Sequence, residues 1–250
     1  MARRGIKKHL KRLPAPSHWP IQRKSAKFTT KPRPGPHARE DCFTLAIVLR
    51  DVLGHAENMR EIKAILSSGQ VSVDGKIRKD PRFPVGIMDV IEIENEGTRY
   101  RVLPKLKGGL LLHEIDDSES KFKLCRIESK KMIRGGKVQM TLHDGRNILL
   151  PDGKKPSEYA TLDTIKISLP EQELLGKIAL KEGSLALITK GRNVGIQGKI
   201  VEISHRYGTH ASTVAIEDAS GERVQTALEY IFILGEKKSE IALAKGGASE

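Results

Sequence analysis

The chain has 250 residues and a formal net charge of +13, from 44 Lys and Arg against 31 Asp and Glu. That length allows two or three small domains and excludes a large enzyme core carrying further modules. The charge is concentrated at one end: residues 1–40 hold 12 basic residues and one acid, Glu40, a local net of +11 that leaves +2 for the other 210 residues.

Such a field suits a polyanion, and nucleic acid fits better than a membrane. No uninterrupted apolar run approaches the ~18 residues of a spanning helix, and the N-terminus lacks the apolar stretch of a secretory signal. Six of the 12 prolines lie in the first 40 residues and would break the amphipathic helix of a mitochondrial transit peptide. A cytosolic location is therefore expected. Cys42 and Cys125 have neither CxxC spacing nor a ligand cluster beside them, so neither a zinc site nor a disulfide framework is indicated.

Residues 1–42 are too proline-rich and charged to bury a core alone, and they read as a basic extended arm whose order comes from a partner. Its single tryptophan, Trp19 in "PSHWP", either stacks on a base or pins the arm to its own protein. The anchor is favoured, since a lone Trp more often fills a groove than reads a nucleotide. From 43 the pattern turns helical, with Leu45, Val48, Leu49, Val52 and Leu53 on one face and Gly54 as a stop. A second helix begins at the N-cap Asn58, shows Arg60 and Lys63 on its polar face and ends near Gly69. "VSVDGKI" then predicts a hairpin about a type I′ Asp74-Gly75 turn, and "DVIEI" a further strand. These elements make a compact unit over 43–105. Segments rich in β-branched residues separated by glycine turns predict a central β domain over 106–173 and a small barrel over 174–235, followed by a loosely ordered tail, 236–250. The fold class expected is α+β and multi-domain.

The stretch "IVLRDVLGHAENMREIKAILSSGQVSVDGKIRKDPRFPVGIMDVIEI" resembles the S-four RNA-binding domain, in which two short helices and a small hairpin present a basic face to structured RNA. "KHLKRLPAPSHWPIQRK", "KPRPGPHARED" and "RFPVGIMDV" resemble signatures of the archaeal and eukaryotic small-subunit ribosomal protein four-e family, and this resemblance covers essentially the whole chain. "EGSLALITKGRNVGIQGKIVEI" resembles a KOW motif, a loop and two strands of an SH3-like barrel. There Gly191, Gly195 and Gly198 permit unusual backbone and are expected to let RNA phosphates approach closely. "DCFTLAIVLRD" departs from the Pro-Leu start of many relatives, and Cys42 and Phe43 are assigned to packing.

Enzymes also carry S-four domains, among them pseudouridine synthases, some RNA methyltransferases and tyrosyl-tRNA synthetases. "LHDGRN" reverses the order of the synthases' catalytic context, and Asp144 is better explained by turn chemistry. No GxGxxG follows a strand, and "GIQGKI" has the wrong spacing for a phosphate loop. His205 and His210 lack the further ligands a metal would need. "DDSES", 116–120, reads as a solvated turn.

What the resemblance implies is a structural, non-enzymatic protein of the small ribosomal subunit, acting in translation in the cytoplasm. Its expected partners are small-subunit ribosomal RNA and neighbouring ribosomal proteins, with no membrane, small-molecule substrate, cofactor or metal. The alternatives are an assembly or transcription factor and, further off, an RNA-modifying enzyme. The residues expected to contact RNA are Arg3, Arg4, Lys7, Lys8, Lys11, Arg12, Arg23, Lys24, Lys31 and Arg33 in the arm, and Arg50, Arg60, Lys63, Lys76, Arg78 and Lys79 in the S-four-like unit. Lys190, Arg192 and Lys199 complete the set in the KOW-like segment. With aromatics only 4% of the chain, recognition is expected to read shape rather than stack on single-stranded bases.

Overall fold

The computed structural model describes residues 8–151, 155–206, 211–218 and 220–243, and these form a mostly β protein with few helices. The α+β expectation is thus corrected in proportion: the helices are short, while each of three sheets has five strands.

In the arm, β1 (Leu10–Lys11) pairs antiparallel with β2 (Phe28–Thr29). Between them the chain turns on guanidinium-to-carbonyl bonds, Arg12 reaching Gln22 O at 2.7 Å and Arg23 reaching Ala15 O and Pro16 O, both at 2.7 Å. Leu10, Ala15, Trp19 and Ile21 are buried in the same apolar cluster as Phe43, Ile47 and Ile62. Trp19 is an anchor, as expected, and donates its Nε1–H to Cys42 O at 2.8 Å. The expectation that this arm takes its order from a partner is corrected for residues 10–29. Four apolar side chains are too few for a core of their own, but they suffice to join a neighbouring one.

The next unit starts with β3 (Cys42–Thr44), where a helix was expected, followed by α1 (Leu45–Ile47). Thr44 caps α1 by accepting the Ile47 N–H, and the helix widens over Val48–Val52 so that the Leu53 N–H bonds back to Val48 O at 2.9 Å. Cys42 and Phe43 are buried, in keeping with a packing role. The second helix, α2 (Met59–Ser67), is capped by the Asn58 side chain, which accepts the N–H groups of Arg60 and Glu61. Gly69, at φ +82°, takes the left-handed conformation that ends it.

Then follow β4 (Val71–Val73), β5 (Lys76–Ile77), β6 (Pro84–Gly86), β7 (Val90–Ile93), β8 (Thr98–Pro104) and β9 (Leu110–Glu114). Asp74 and Gly75 have φ of 52° and 70°, the type I′ signature of the expected hairpin. The sheet order is β5-β4-β7-β8-β9, and β6 pairs separately with β3.

A short helical turn, α3 (Asp117–Ser120), leads into β10 (Phe122–Met132), β11 (Val138–Leu142), β12 (Asn147–Leu149), β13 (Thr164–Ser168) and β14 (Leu174–Ile178), ordered β12-β11-β10-β13-β14. The third sheet comprises β15 (Leu185–Ile188), β16 (Gln197–Ser204), β17 (Thr213–Asp218), β18 (Arg223–Ala227) and β19 (Ile231–Gly235), ordered β18-β17-β16-β15-β19. One apolar cluster joins all three sheets: Leu103 from the first, with Met88 from the turn before β7, Leu124 and Ile178 from the second, and Leu187 and Phe232 from the third. Ile241 is buried in that cluster, and the Ala242 N–H bonds Glu119 Oε1 at 2.8 Å. The start of the expected loose tail is therefore docked, because Ile241 gives it apolar surface to bury.

Candidate nucleic-acid interface

The polar face of α2 is set by its apolar one. Ile62 and Leu66 are buried, which turns Arg60 and Lys63 outward and exposed. The β4–β5 hairpin lies against the end of this helix: a Cβ on Gly69 would sit 3.7 Å from the Ile77 side chain. Lys76 and Lys79 flank that contact and are exposed, and among the described residues these four cations have no ion-pair partner. Arg78 behaves differently, its guanidinium lying 4.3 Å from the Phe83 ring centroid. Arg50 is half-buried and pairs with its neighbour Asp51 at 2.8 Å.

In the arm, Lys8, Lys31 and Arg33 line a cleft of ≈ 530 Å³ together with Arg39 and Arg82, two cations absent from the expected set. The cleft contains no acid among its lining residues, although Arg33 pairs with Asp80 at 2.8 Å nearby. Lys11 and Lys24 are exposed. Arg12 and Arg23 serve the arm's own carbonyls, as described above, which gives both a structural role. Arg3, Arg4 and Lys7 lie outside the described residues.

In the third sheet, Lys190 pairs with Asp41 at 2.7 Å, tying its loop to the start of the first unit, while Arg192 and Lys199 are exposed. The glycines of this segment lie close to other parts of the protein. A Cβ on Gly195, at φ +87°, would lie 2.6 Å from the Leu106 backbone, and one on Gly198 would lie 2.1 Å from Glu217 O. Gly191 faces the Tyr230 ring in the same way. Close packing of sheet and loop demands glycine's size at Gly195 and Gly198.

A second set of charges was not visible in the sequence. Lys123 is fully buried, with its Nζ 2.9 Å from Asp74, 2.5 Å from Asp89 and 3.1 Å from Asp144. Burial alone would lower this ammonium, yet the carboxylates hold it charged, well above the ordinary lysine range. His37 of the arm closes on Asp89 at 2.9 Å, and Arg146 bridges Asp74 and Asp144. Asp144 does accept the Arg146 N–H as a turn residue should, but its second oxygen belongs to this network. Arm, first sheet and second sheet thus share one charge cluster.

Cys125, His143 and Asp144 also bring three ligand-type atoms within 4.8 Å of one another. Their chemistry does not suit a metal: His143 uses both ring nitrogens, on the Arg126 N–H and on Ile87 O, and Asp144 is paired with Lys123 and Arg146. Burial pushes the Cys125 thiol well up, which keeps it protonated. The "DDSES" turn is likewise engaged: Asp117 pairs with Arg99, and Glu119 lies 3.3 Å from the buried Arg101.

Packed β units thus set exposed cations on a short helix, a hairpin and an arm, with their buried acids paired to bases, a surface of the kind that suits a polyanion. Comparison with known proteins makes this specific. Residues 4–40 match the RS4NT (NUC023) domain, 45–91 the S4 domain and 96–174 the ribosomal family S4e. The small ribosomal subunit protein eS4 of Staphylothermus marinus is 50% identical over 98% of this chain and 99% of its own, and that of Methanothermobacter thermautotrophicus 46% identical over 98% and 100%. A crystal structure of the 30S ribosomal protein S4e from Thermoplasma acidophilum superposes with a TM-score of 0.64 at 30% identity, covering 78% of this chain and 96% of that one. The chain belongs to the ribosomal S4e family, whose members are structural proteins rather than enzymes.

Proposed function

We propose that the chain is a structural constituent of the small ribosomal subunit that holds folded ribosomal RNA in the cytoplasm, beside other ribosomal proteins. The observation that carries the mode of binding is the quartet of Arg60, Lys63, Lys76 and Lys79, without ion-pair partners among the described residues, at the junction of α2 and the β4–β5 hairpin. Exposed lysines and arginines without acids to neutralise them are matched by phosphates, and each phosphate neutralised steepens the salt dependence by roughly 0.7 to 0.9. Lys8, Lys11 and Lys24 extend the surface along the arm, joined at its cleft by Lys31 and by Arg33, which also pairs with Asp80, and Arg3, Arg4 and Lys7 precede them in the sequence. Arg192 and Lys199 add a third patch on a KOW-type, SH3-like barrel.

In this reading the working units are 1–42, 43–105, 106–173 and 174–235, with β9 counted with the first sheet and β14 with the second, and 236–250 a tail. Arg12, Arg23, Arg50, Arg78 and Lys190 support the interface through their internal partners. Sedimentation tests the whole: the protein should travel with small subunits in near-equal amounts through moderate salt. Recovery mainly with RNA polymerase, or free, would favour a transient factor and sink the structural reading.

A further inference from the structure

We propose that the tip of the β10–β11 hairpin, residues 130–137, is a further RNA-contacting element that packs against ribosomal RNA backbone. The idea rests on the RNA-binding reading above but concerns a surface outside the residues assigned there. Across residues 129–143 the sequence has four cations, Lys130, Lys131, Arg134 and Lys137, and no acid. The hairpin pairs Lys130 with Met140, Lys131 with Gln139 and Met132 with Val138, and the Ile133 N–H closes it on Lys137 O at 2.9 Å. Gly135 and Gly136, at φ of 85° and 73°, make the reversal.

Two features set this tip apart from an ordinary solvated turn. Met132 is 77% exposed and Ile133 37% exposed. Val138, opposite Met132 in the register, is buried in the second sheet's core, but that cover does not extend to Met132 itself. The root is meanwhile fixed: Lys130 Nζ bonds Pro156 O at 2.8 Å and Tyr159 O at 2.7 Å. A hairpin held at its root and bare at its tip has room for a partner at that end. Lys131, Arg134 and Lys137 are exposed and have no ion-pair partner among the described residues, which selects an anionic one. Folded RNA offers that chemistry, with phosphates for the three cations and sugar edges for Met132 and Ile133.

The test uses the full chain and an in vitro transcript of small-subunit ribosomal RNA, with affinity measured across a salt series. Joint replacement Lys131→Gln, Arg134→Gln and Lys137→Gln should weaken binding about tenfold or more and lower the salt slope by roughly 2 to 3, with the melting midpoint unchanged. Replacement Met132→Ser with Ile133→Ser should weaken binding severalfold and leave the slope where it was. Unchanged affinity and slope in the glutamine variant would overturn the proposal. So would normal binding to the transcript with loss from assembled subunits, which would make the tip's partner a protein. The Arg60→Ala, Lys63→Ala variant separates the two levels: if it loses affinity and the glutamine variant does not, only the hairpin inference fails, and if neither does, the RNA-binding reading fails with it.

Discussion

Lys123 and Lys63 carry the same charge in regions that put it to opposite use. Lys123 is fully buried at the meeting of the arm and two sheets, among Asp74, Asp89 and Asp144, and its charge is consumed inside the molecule. Lys63 stands on the outer face of α2 with no acid paired to it among the described residues. Net charge therefore says little about where a partner binds until the cations spent on internal acids and carbonyls are set aside. The buried set should govern stability and the exposed set affinity, so variants in one should leave the other property alone.

The sharpest way to break that division is Lys123→Met. Removing the only ammonium among three buried carboxylates should cost about 3 to 5 kcal/mol, the range for an uncompensated buried charge. Chemical denaturation checks it, and RNA affinity under strongly native conditions should stay close to that of the parent. Preserved stability with lost binding would reverse the assignment. Gly195→Ala comes next. Its positive φ and the Leu106 backbone 2.6 Å from the new Cβ make the cost about 1 to 3 kcal/mol, again with binding retained once folded.

What the sequence made legible is mostly what is local. The Asn58 cap, the Gly69 stop and the Asp74-Gly75 turn depend on bonds spanning a few residues, so the residue types at those places suffice. Strand partners are not local. The division expected after 105 separates β8 from β9, which pair from Tyr100↔Glu114 to Pro104↔Leu110, and that expected at 174 separates β14 from β13. Nothing in "GLLLHEI" names its neighbour.

The charge cluster was hidden for the same reason. Asp74 and Asp144 each sit in an Asp-Gly turn, and turn chemistry accounts for each alone. Only the packing of two sheets brings both to Lys123. The glycines of the KOW-like segment were legible as special and not as packed, since their neighbours Leu106 and Tyr230 lie far along the chain.

Acid titration sharpens the comparison at a smaller scale. Burial and the nearby Lys123 depress His143 from 6.5 to about 3. The unfolded chain then binds a proton that the native protein refuses, so stability falls as pH drops from 6.5 toward 3, by at most ~1.4 kcal/mol per pH unit. Asp89 acts lower down. Burial alone would raise both this carboxyl and that of Asp144, but His37 and Lys123 hold Asp89 well below the usual range, and Lys123, His143 and Arg146 lower Asp144. Their contribution is full above the unfolded value of ~3.9 and is lost as pH falls below it. Thermal midpoints of the parent and His143→Gln, taken from pH 7 to 4, should diverge, with the variant flatter. Parallel curves would remove His143 from the account.

The smallest effect on the fold is expected from Arg60→Ala combined with Lys63→Ala. Both side chains leave α2 on its exposed face, and alanine is the better helix former, so the unfolding midpoint should hold or rise slightly. Affinity for the ribosomal RNA transcript should nevertheless fall, and its salt slope should drop by roughly 1.4 to 1.8 if each cation neutralises one phosphate. The two readouts together decide the matter. A lower midpoint with unchanged affinity would place these cations with Lys123 in the scaffold, and weaker binding with an unchanged slope would mean that they touch the partner through something other than phosphate charge.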